Sequence, residues 1–554
     1  MRKRARARIA DAAAACSRNV RSPNLRRAQL AFGSMWAGEW AATVALGVVA
    51  FRDGGATAVG LVGLLRMVPA ALLAPLAATV ADRVRREVVL AWVGLVRAAT
   101  LGAAAAAIAA DGSIAFVYGA VVAATVAQTL YRPSHSALLP SLCMSPVELT
   151  SANVVRGLLD SVATLVGPLA AAVLLDLSGP ASVFTAAAGA SLLSTALVAR
   201  VRYEAPPRVG AAPAARVLRQ TVEGLRVIAA DRDFALLTAL TTLQTFTRGA
   251  LTVFSVVVAI ELLGTGEAGV GVLTAAVGAG AVVGSLAASL LVGGHLAKWF
   301  GIGVALWGAP LVGIGAVPEE WAAILLLTVV GVGNALVDVG GFTLPARLVE
   351  DAVLARAFAA FEAILTLGVG AGAVATPAVI DSLGTRWALV AIGVLAPLGV
   401  LAAWRALGAL DARMRVRDAD IALLQGVPML RPLPQATIER LAAGLDRMQF
   451  PAGAVVFDRG DHGDDFYVIE EGVVDVIGDG RRIRGLGPGD GFGEIALLRG
   501  CQRTMTVAAV TALTLRTVSS TRFVAAVAGY SVSASAADDV IAAHLASFRP
   551  PKVP

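Results

Sequence analysis

The segment from Phe492 to Val507 combines residue types that can hold an anion. Gly493 can begin a short helix, and the first backbone N–H groups of a helix, here including that of Ala496, have no partner within it and can face a negative charge. Arg503 adds a guanidinium group that can donate two parallel hydrogen bonds to a phosphate. Glu494 adds a carboxylate that suits a sugar hydroxyl. These residue types predict a site for a molecule that carries both a phosphate and a hydroxyl.

The elements around this segment are short. From about Leu430 onwards, alternating runs of residues are separated by Gly and Asp turns, which predicts a small β-barrel or jelly roll. Helices are expected to flank the barrel at about 418–424, 435–447 and 519–548. The predicted strands are Ala454–Phe457, Asp465–Glu470, Val473–Ile477 and Arg482–Leu486.

The segment Phe492–Val507, together with turn glycines at 460, 472 and 489, resembles the phosphate-binding cassette of cyclic-nucleotide-binding domains. The resemblance spans about residues 430 to 530. It implies that Arg503 binds the cyclic phosphate and Glu494 the ribose 2′-hydroxyl, with cyclic AMP or cyclic GMP as the regulatory ligand. The cassette residues expected to bind the nucleotide are Gly493, Glu494, Ile495, Ala496, Arg503 and Thr504.

The same resemblance gives expectations for the apolar part of the pocket. Leu486 and Val474 would line it, while Met505 replaces the small residue usual at its position and would crowd it. Thr504 stands where related domains use a hydroxyl to contact a guanine edge or the phosphate. It permits cyclic GMP without excluding cyclic AMP.

The rest of the chain has the composition of a membrane protein. Of its 554 residues, 57% are hydrophobic and 15% are charged, whereas soluble domains contain about a quarter charged residues. Apolar stretches of the length needed to cross a bilayer recur from Gln29 to Leu407. We expect a polytopic α-helical membrane protein with about twelve transmembrane helices in two six-helix halves. Candidate spans begin near Gln29, Ala56, Val88, Ser113, Ser151, Gly179, Asp233, Ala268, His295, Glu319, Ala352 and Thr385.

The domain boundaries follow from these patterns. The basic N-terminal tail (1–27) has no signal-peptide core immediately behind it. We predict a six-helix half (28–200), a polar connector (201–232), a second half (233–408), a linker (409–429), the nucleotide-binding domain (430–530) and a C-terminal helix and tail (531–554).

Charge in the loops predicts the topology. Loops after odd-numbered spans are neutral or acidic, and most loops after even-numbered spans are rich in arginine, the exception being the loop with Glu148. The positive-inside rule then places both termini in the cytoplasm of a plasma-membrane protein. The net charge of +7 is accounted for by these loops, so no nucleic-acid partner is expected.

Two segments resemble the major facilitator superfamily, particularly its drug- and siderophore-exporter-like branch, over about residues 25 to 408. Pro75–Arg86 looks like the signature loop between the second and third spans, although Ala78 stands where glycine is usual. Gly167-Pro168 resembles the motif of the superfamily's exporters. The charged residues of the loop, which can form a breakable latch between conformations, are Asp82, Arg83, Arg85 and Arg86.

Ionisable residues within the spans are candidates for transport, because an unpaired charge in hydrocarbon is costly. Arg156 and Asp160 are four residues apart and are expected to pair on one helical face. A proton-coupled carrier needs a carboxylate that gains and loses a proton, for which Glu39 or Asp338 near an arginine would serve. The transport candidates are Glu39, Arg66, Arg156, Asp160 and Asp338.

Taken together, these features favour a secondary active transporter: a proton-coupled exporter or antiporter of small molecules under allosteric control by a cyclic nucleotide. A lipid flippase or scramblase, with a lipid as substrate, and a non-transporting receptor are the alternatives. An enzyme is not expected, because the four histidines are scattered and neither a P-loop nor a metal-ligand constellation is present. The oligomeric state, the transported substrate and the choice between cyclic AMP and cyclic GMP stay open.

Overall fold

The three-dimensional structure is a computed structural model of the 554-residue chain. It describes residues 21–143, 146–202, 214–291, 295–349, 351–433, 435–442, 444–529, 533 and 535–540. Most of the predicted N-terminal tail, part of the connector and most of the C-terminal tail lie outside these residues. The chain divides into two compact units, the first ending at Gly408 and the second beginning at Ala409.

The first unit is entirely helical in its described part, apart from short turns. Its helices are α1 (Pro23–Arg83), α2 (Arg86–Ala109), α3 (Ile114–Gln128), α4 (Tyr131–Leu142), α5 (Pro146–Ser178), α6 (Pro180–Val198), α7 (Ala214–Ala230), α8 (Arg232–Val257, continued by a π-helical turn, Val258–Leu262), α9 (Gly266–Leu291), α10 (Leu296–Ala316), α11 (Glu320–Leu348), α12 (Asp351–Leu383) and α13 (Thr385–Gly393). Helix α14 (Leu395–Gly426) contains the division between the units.

Eleven stretches of the described helices are long and apolar enough to cross a membrane. The first of them, Pro23–Pro69, is 47 residues long and is interrupted by non-helical backbone at Gly54 and Gly55, where Gly55 has φ +62°. A span needs about 20 residues, so this stretch holds two. The many membrane-length helices confirm the predicted polytopic helical fold, and the observed stretches correspond to the predicted spans.

Local sequence explains where two of the helices, α6 and α8, begin. The Asp231 side chain accepts hydrogen bonds from the backbone N–H groups of Asp233 (2.8 Å) and Phe234 (3.0 Å), which caps α8. Gly179 takes φ +75° and is followed by Pro180, a combination that ends α5 and begins α6. The predicted polar connector contains α7, a helix that the prolines and arginines of this segment did not indicate.

The second unit contains two four-stranded antiparallel sheets. The strands are β1 (Asp446–Phe450), β2 (Val455–Phe457), β3 (Asp465–Glu471), β4 (Val474–Gly478), β5 (Arg481–Leu486), β6 (Gly491–Phe492), β7 (Thr506–Ala509) and β8 (Leu513–Ser519). One sheet has the order β1-β8-β3-β6 and the other β2-β7-β4-β5. Apolar side chains from both sheets, including Ile469, Val474, Val507 and Leu515, form the core of this sandwich.

Three helices of the second unit accompany the sheets: α15 (Gln435–Ala442), α16 (Glu494–Arg499) and α17 (Ser520–Ala528). The helix predicted at 435–447 is therefore too long. Its last residues belong to β1, where Arg447 pairs with Arg516 of β8. The helix predicted at 418–424 is the end of α14. The helix predicted at 519–548 is described as far as Ala528 and again at 535–540.

Candidate functional sites

The second unit contains a cavity between the β2-β7-β4-β5 sheet and the turn that carries α16. Counted with the open solvent at its mouth, the cavity has about 610 Å³ of empty volume. Its sheet side is lined by Phe457, Val476, Ile483, Arg484, Leu486, Met505 and Val507. Its other side is lined by Phe492, Gly493, Glu494, Ile495, Ala496, Arg503 and Thr504.

Arg503 is held at this cavity although it is only 3% exposed. Its Nη1 donates to the Gly493 carbonyl oxygen (2.8 Å) and its Nη2 to the Asp465 carbonyl oxygen (2.7 Å). The guanidinium carbon lies 4.3 Å from the Phe457 ring centroid, a cation–π distance. Nε is buried and has no hydrogen-bond partner in the described structure. Arg503 is therefore a cation held in one position, and its Nε–H group donates no hydrogen bond within the described structure.

Burial shifts the pKa values of two groups at this site. It lowers the pKa of the Arg503 guanidinium, against the opposing effects of Tyr467 and Asp465. It raises the pKa of the Asp465 carboxyl, with Asp464 acting in the same direction and Arg503 opposing. An arginine starts so far above neutrality that it remains charged in spite of a lowered pKa. The cavity therefore keeps a positive charge, which suits an anionic ligand.

Gly493 allows the close approach on which this arrangement depends. It has φ +93°, a conformation that side chains with a Cβ rarely adopt. A Cβ atom at this position would lie 2.6 Å from Nη1 of Arg503. Glu494 (2% exposed) and Ala496 (5%) follow at the beginning of α16. Glycine is thus required both by the backbone and by the arginine beside it.

In the membrane unit, helices α1 and α2 bring one carboxylate to two arginines. Glu39 of α1 places Oε1 2.6 Å from Nη2 of Arg66, and Oε2 2.8 Å from Nη2 of Arg97 on α2. Arg66 Nε also donates to Thr125 Oγ1 of α3 at 3.0 Å. Arg97 is fully buried, and its Nη1 donates to the Ala124 carbonyl oxygen at 3.3 Å. These ion pairs and hydrogen bonds connect α1, α2 and α3 of the first half.

A second polar group includes residues of both halves. Arg132 of α4 pairs with Asp160 of α5 at 2.8 Å. Asp338 of α11 accepts from Asn334 Nδ2 at 2.9 Å and interacts electrostatically with Arg248 of α8, and with Asp160 and Arg132. Glu362 of α12 interacts with Arg132 and Arg248 in the same way. This group therefore connects residues of the two halves by electrostatic interactions.

The predicted latch is described only in part. Asp82 and Arg83 lie in the last turn of α1, and their side chains are outside the described set. Arg85 forms an ion pair with Glu87. Arg86 donates from Nη1 to the Ala137 carbonyl oxygen (2.7 Å) and to Ser141 Oγ (2.9 Å). Arg86 therefore attaches the beginning of α2 to the end of α4.

The Gly167-Pro168 pair of α5 lies at two helix crossings. A Cβ on Gly167 would collide with the Ala37 carbonyl oxygen of α1 and lie 2.9 Å from the Trp40 Cβ. On the other side, a Cβ on Gly271 of α9 would lie 2.5 Å from the Pro168 carbonyl oxygen. The motif thus lets α5 approach a helix of its own half and a helix of the other half.

Comparison with known proteins agrees with this architecture. Residues 30–301 match the Major Facilitator Superfamily, and residues 447–530 match the cyclic nucleotide-binding domain. The crystal structure of a POT family transporter in complex with 5-aminolevulinic acid aligns with a TM-score of 0.58 at 13% identity, covering 69% of this chain and 96% of that one. At this identity the likeness shows the fold alone.

The chain thus joins a helical unit that resembles the Major Facilitator Superfamily to a unit that resembles cyclic nucleotide-binding domains. Among curated proteins, the cAMP-dependent protein kinase regulatory subunit of Schizosaccharomyces pombe is 38% identical over 96 residues, 17% of this chain and 23% of the relative. A cyclic nucleotide-gated potassium channel of Rhizobium etli is 32% identical over 131 residues, 23% of this chain and 37% of the channel. The chain thus spans well under half the length of these relatives.

Within the cyclic nucleotide-binding domain, the structure brings the predicted cassette residues and Leu486 together around one cavity. The expectation for Val474 is wrong: this side chain is fully buried in the sandwich core, and Val476, two residues along β4, lines the cavity instead. The sequence reasoning missed Phe457, which covers Arg503, and Arg484. An alternating strand pattern carried onto β5 would have indicated Arg484, two residues before Leu486.

Within the major facilitator unit, one predicted ion pair is not formed. Arg156 donates to Ser136 Oγ at 2.6 Å, while Asp160 pairs with Arg132. Both partners come from α4, the neighbouring helix, so each contact connects two helices. The grouping of Glu39 with Arg66 and Arg97 was also not predicted, because it joins residues from three spans.

Proposed function

We propose that the membrane unit is a proton-coupled exporter of small molecules whose conformational equilibrium is biased by a cyclic nucleotide bound to the C-terminal domain. The observation that carries the proposal is the presence of two polar sites in one chain. One is the charged group of Arg132, Asp160, Arg248, Asp338 and Glu362, drawn from both halves of the transporter. The other is the Arg503 cavity.

Transport is supported by the position of the charged group. A carrier that alternates between two states holds its substrate where its two halves meet, near the bilayer midplane. Arg132 and Asp160 belong to the first half, and Arg248 and Asp338 to the second. When the halves separate on one side and close on the other, the distances among these charges change. Such groups can therefore bind a solute in one state and release it in the other.

Proton coupling is assigned to Asp338 rather than to Glu39. Glu39 is within 2.8 Å of two arginines, and its protonation would leave both without their carboxylate. Within the described residues, Asp338 forms no ion pair, and its side-chain partner is the neutral amide of Asn334. Asp338 can accept a proton at a smaller cost in pairing energy, and movement of Arg132 or Arg248 would change its affinity for that proton.

Export, rather than uptake, is supported by the Gly167-Pro168 motif. This motif resembles exporter sequences and lies at the crossings of α5 with α1 and α9.

Regulation is supported by the cavity and by the names of the relatives, which are a cAMP-dependent regulatory subunit and a cyclic nucleotide-gated channel. A bound nucleotide shifts a conformational equilibrium only by its difference in affinity between the two states.

The test begins with binding. Cyclic AMP and cyclic GMP are titrated calorimetrically into the purified full-length protein and into the Arg503→Ala variant, with Arg499→Ala as a control for a lost charge in the same cassette. We expect binding to the wild type and to Arg499→Ala, and a loss of at least about 30-fold in Arg503→Ala, because an unpaired buried phosphate costs about 2 kcal/mol or more. If neither nucleotide binds the wild type, the regulatory part of the proposal is wrong.

The transport step is tested in proteoliposomes loaded with the pH dye pyranine, with ethidium as the probe solute. We expect ethidium movement coupled to proton movement, and a change in its rate on adding nucleotide that is absent in Arg503→Ala. Scrambling of a fluorescent phosphatidylcholine without ethidium flux would favour the flippase. A wild type that binds nucleotide but moves neither probe would contradict the exporter assignment and favour a receptor.

A further inference from the structure

The last turns of α14 are attached to the second unit by a charged group that lies outside the nucleotide cavity. Asp420 of α14 is 7% exposed, and its Oδ1 lies 3.2 Å from Nη2 of Arg516 on β8. The Nε atom of Arg516 lies 3.0 Å from Oε2 of Glu470 on β3. Nε of Arg447 on β1 lies 3.4 Å from the same oxygen. One arginine therefore joins the helix to the sheet through two carboxylates.

Apolar contacts place this part of α14 in the same core as β3. Ile421 and Leu424 of α14 belong to a buried apolar cluster. The same cluster includes Phe466 of β3 and Phe523 of α17, whose rings are stacked with centroids 4.2 Å apart. Close-packed interiors transmit strain. A displacement of β3 would therefore reach α14 through packed side chains as well as through the ion pairs.

Strand β3 also holds the arginine of the nucleotide cavity. The Asp465 carbonyl oxygen, at the beginning of the strand, accepts from Nη2 of Arg503 at 2.7 Å. The Tyr467 ring centroid lies 5.5 Å from the Arg503 guanidinium carbon. Glu470 lies near the other end of the same strand. One continuous strand thus contacts the expected phosphate-binding residue at one end and the partner of Arg516 near the other.

Helix α14 connects this charged group to the first unit along the chain. It is one helix from Leu395 to Gly426, and the stretch Thr385–Gly426 is the last of the membrane-length stretches. Rigid secondary-structure elements can carry coupling between distant sites when they have two discrete arrangements. The position of Asp420 therefore bears on the helix with which the membrane unit ends.

An ion pair at this place suits a change of position better than a gain in stability. Apolar side chains of similar size often stabilise a buried position as well as an ion pair does. The shared arginine, however, lets the pair open at a reduced cost. When Asp420 leaves, Arg516 keeps Glu470 as a partner, so its guanidinium, with 14% of the side chain exposed, is not left uncompensated. The group permits two arrangements of α14 on the sheet, with Asp420 paired or released.

We propose that the Asp420–Arg516 ion pair is the contact through which a nucleotide bound beside Arg503 acts on α14. The proposal rests on the regulatory function proposed above and assigns its transmission to a position outside the cavity. The nucleotide favours one of the two arrangements through Arg503, whose carbonyl partner lies on β3. Asp420 and Arg516 are positioning residues, because neither lines the cavity.

The experiment measures ethidium transport by the full-length protein in proteoliposomes, with and without saturating cyclic AMP or cyclic GMP. Nucleotide binding by each variant is measured calorimetrically. Asp420→Asn keeps the size of the side chain and removes its charge, so it represents the released arrangement. Asp418→Asn is the matched control for one lost negative charge, because Asp418 is an exposed carboxylate of the same helix.

A second variant acts on the other partner of Arg516. Glu470→Gln weakens the contact that holds Arg516 when Asp420 leaves, and it therefore favours the paired arrangement. Its control is Glu471→Gln, which removes an exposed carboxylate from the same strand. The two variants thus favour opposite arrangements of the same group.

We expect nucleotide to change the transport rate of the wild type. Asp420→Asn should still bind nucleotide, because Arg503 and Glu494 are intact, but its transport rate should be the same with and without nucleotide. Glu470→Gln should also lose the response. The rates of the two variants should lie at opposite ends of the range that the wild type covers, and both controls should respond as the wild type does.

An undiminished response in Asp420→Asn would overturn the proposal, as would an equal loss of response in Asp418→Asn. Loss of nucleotide binding in Asp420→Asn would mean that the pair supports the fold of the cavity, which also contradicts the assignment. In these cases the wild type still responds, so the regulatory function stands. A wild type that binds nucleotide without any change in transport contradicts the regulatory function and this assignment with it.

Discussion

Arg66 and Arg97 share a single carboxylate, that of Glu39, with Oε1 at 2.6 Å from the first and Oε2 at 2.8 Å from the second. Removing one partner of a buried ion pair costs about 3–5 kcal/mol, because the remaining charge is left uncompensated. We predict that Glu39→Gln lowers the Tm of the detergent-purified protein by at least about 5 °C. The measurement is thermal unfolding followed by fluorescence.

The control is Glu319→Gln, which removes an exposed carboxylate from the turn before α11 and is expected to leave the Tm within about 1 °C. A stable Glu39→Gln protein whose transport no longer responds to a proton gradient would contradict this prediction. It would make Glu39, rather than Asp338, the coupling carboxylate.

Asp338→Asn should separate transport from the proton gradient. The amide keeps the size and the hydrogen bond of the side chain but cannot exchange a proton. We predict that the variant retains exchange of ethidium across proteoliposome membranes but loses gradient-driven accumulation almost completely. Asp381→Asn, at an exposed position near the end of α12, is the matched control. Loss of exchange together with accumulation would instead indicate that Asp338 is required for solute binding.

Gly493→Ala should abolish the nucleotide site by two effects that can be measured apart. The first is the φ of +93°, which costs an alanine about 1–2 kcal/mol. The second is the collision of its Cβ with Arg503. Gly480→Ala is the control, because Gly480 has φ +75° and nothing within 4 Å of a Cβ. We predict that both variants lose stability, but that only Gly493→Ala loses binding by calorimetry.

Glu494→Gln tests the expected contact with the ribose. A hydrogen bond to a charged group contributes about 1.5–3 kcal/mol, so the variant should bind cyclic nucleotide roughly 10- to 100-fold more weakly. Cyclic nucleotides lacking the 2′-hydroxyl should bind the wild type with the same weakened affinity and show no further loss in Glu494→Gln. An equal loss for both ligands in the variant would instead mean that Glu494 acts on the fold of the cassette.

Much of this architecture could be predicted from the sequence, because the signals are local. Apolar stretches such as Leu296–Ala316 and turns such as Gly179-Pro180 set the positions of helices within a few residues. The predicted helix extended to Arg447, but the helix ends at Ala442 and β1 begins at Asp446. Pairing of Arg447 with Arg516 of β8, 69 positions along the chain, decided the structure of that residue.

The functional sites were likewise predictable only where their residues are close together in the sequence. The cassette residues from Gly493 to Arg503 are close in sequence, so their common role was readable. The ion pairs of the membrane unit could not be predicted, because Glu39, Arg66 and Arg97 come from three predicted spans, and Asp160 pairs with a residue of α4 rather than one turn away on α5. Charges four residues apart identify a shared face, but packing with neighbouring helices decides which partner is nearest.

The two carbonyl contacts of Arg503 affect the energetics of binding an anion in the cavity. A long, flexible side chain normally loses conformational entropy when a ligand immobilises it. Here the loss has already occurred during folding, since backbone oxygens and an aromatic ring hold the guanidinium in place. A nucleotide that enters the cavity would therefore meet a preorganised cation, and little of its binding energy would be consumed in ordering the arginine.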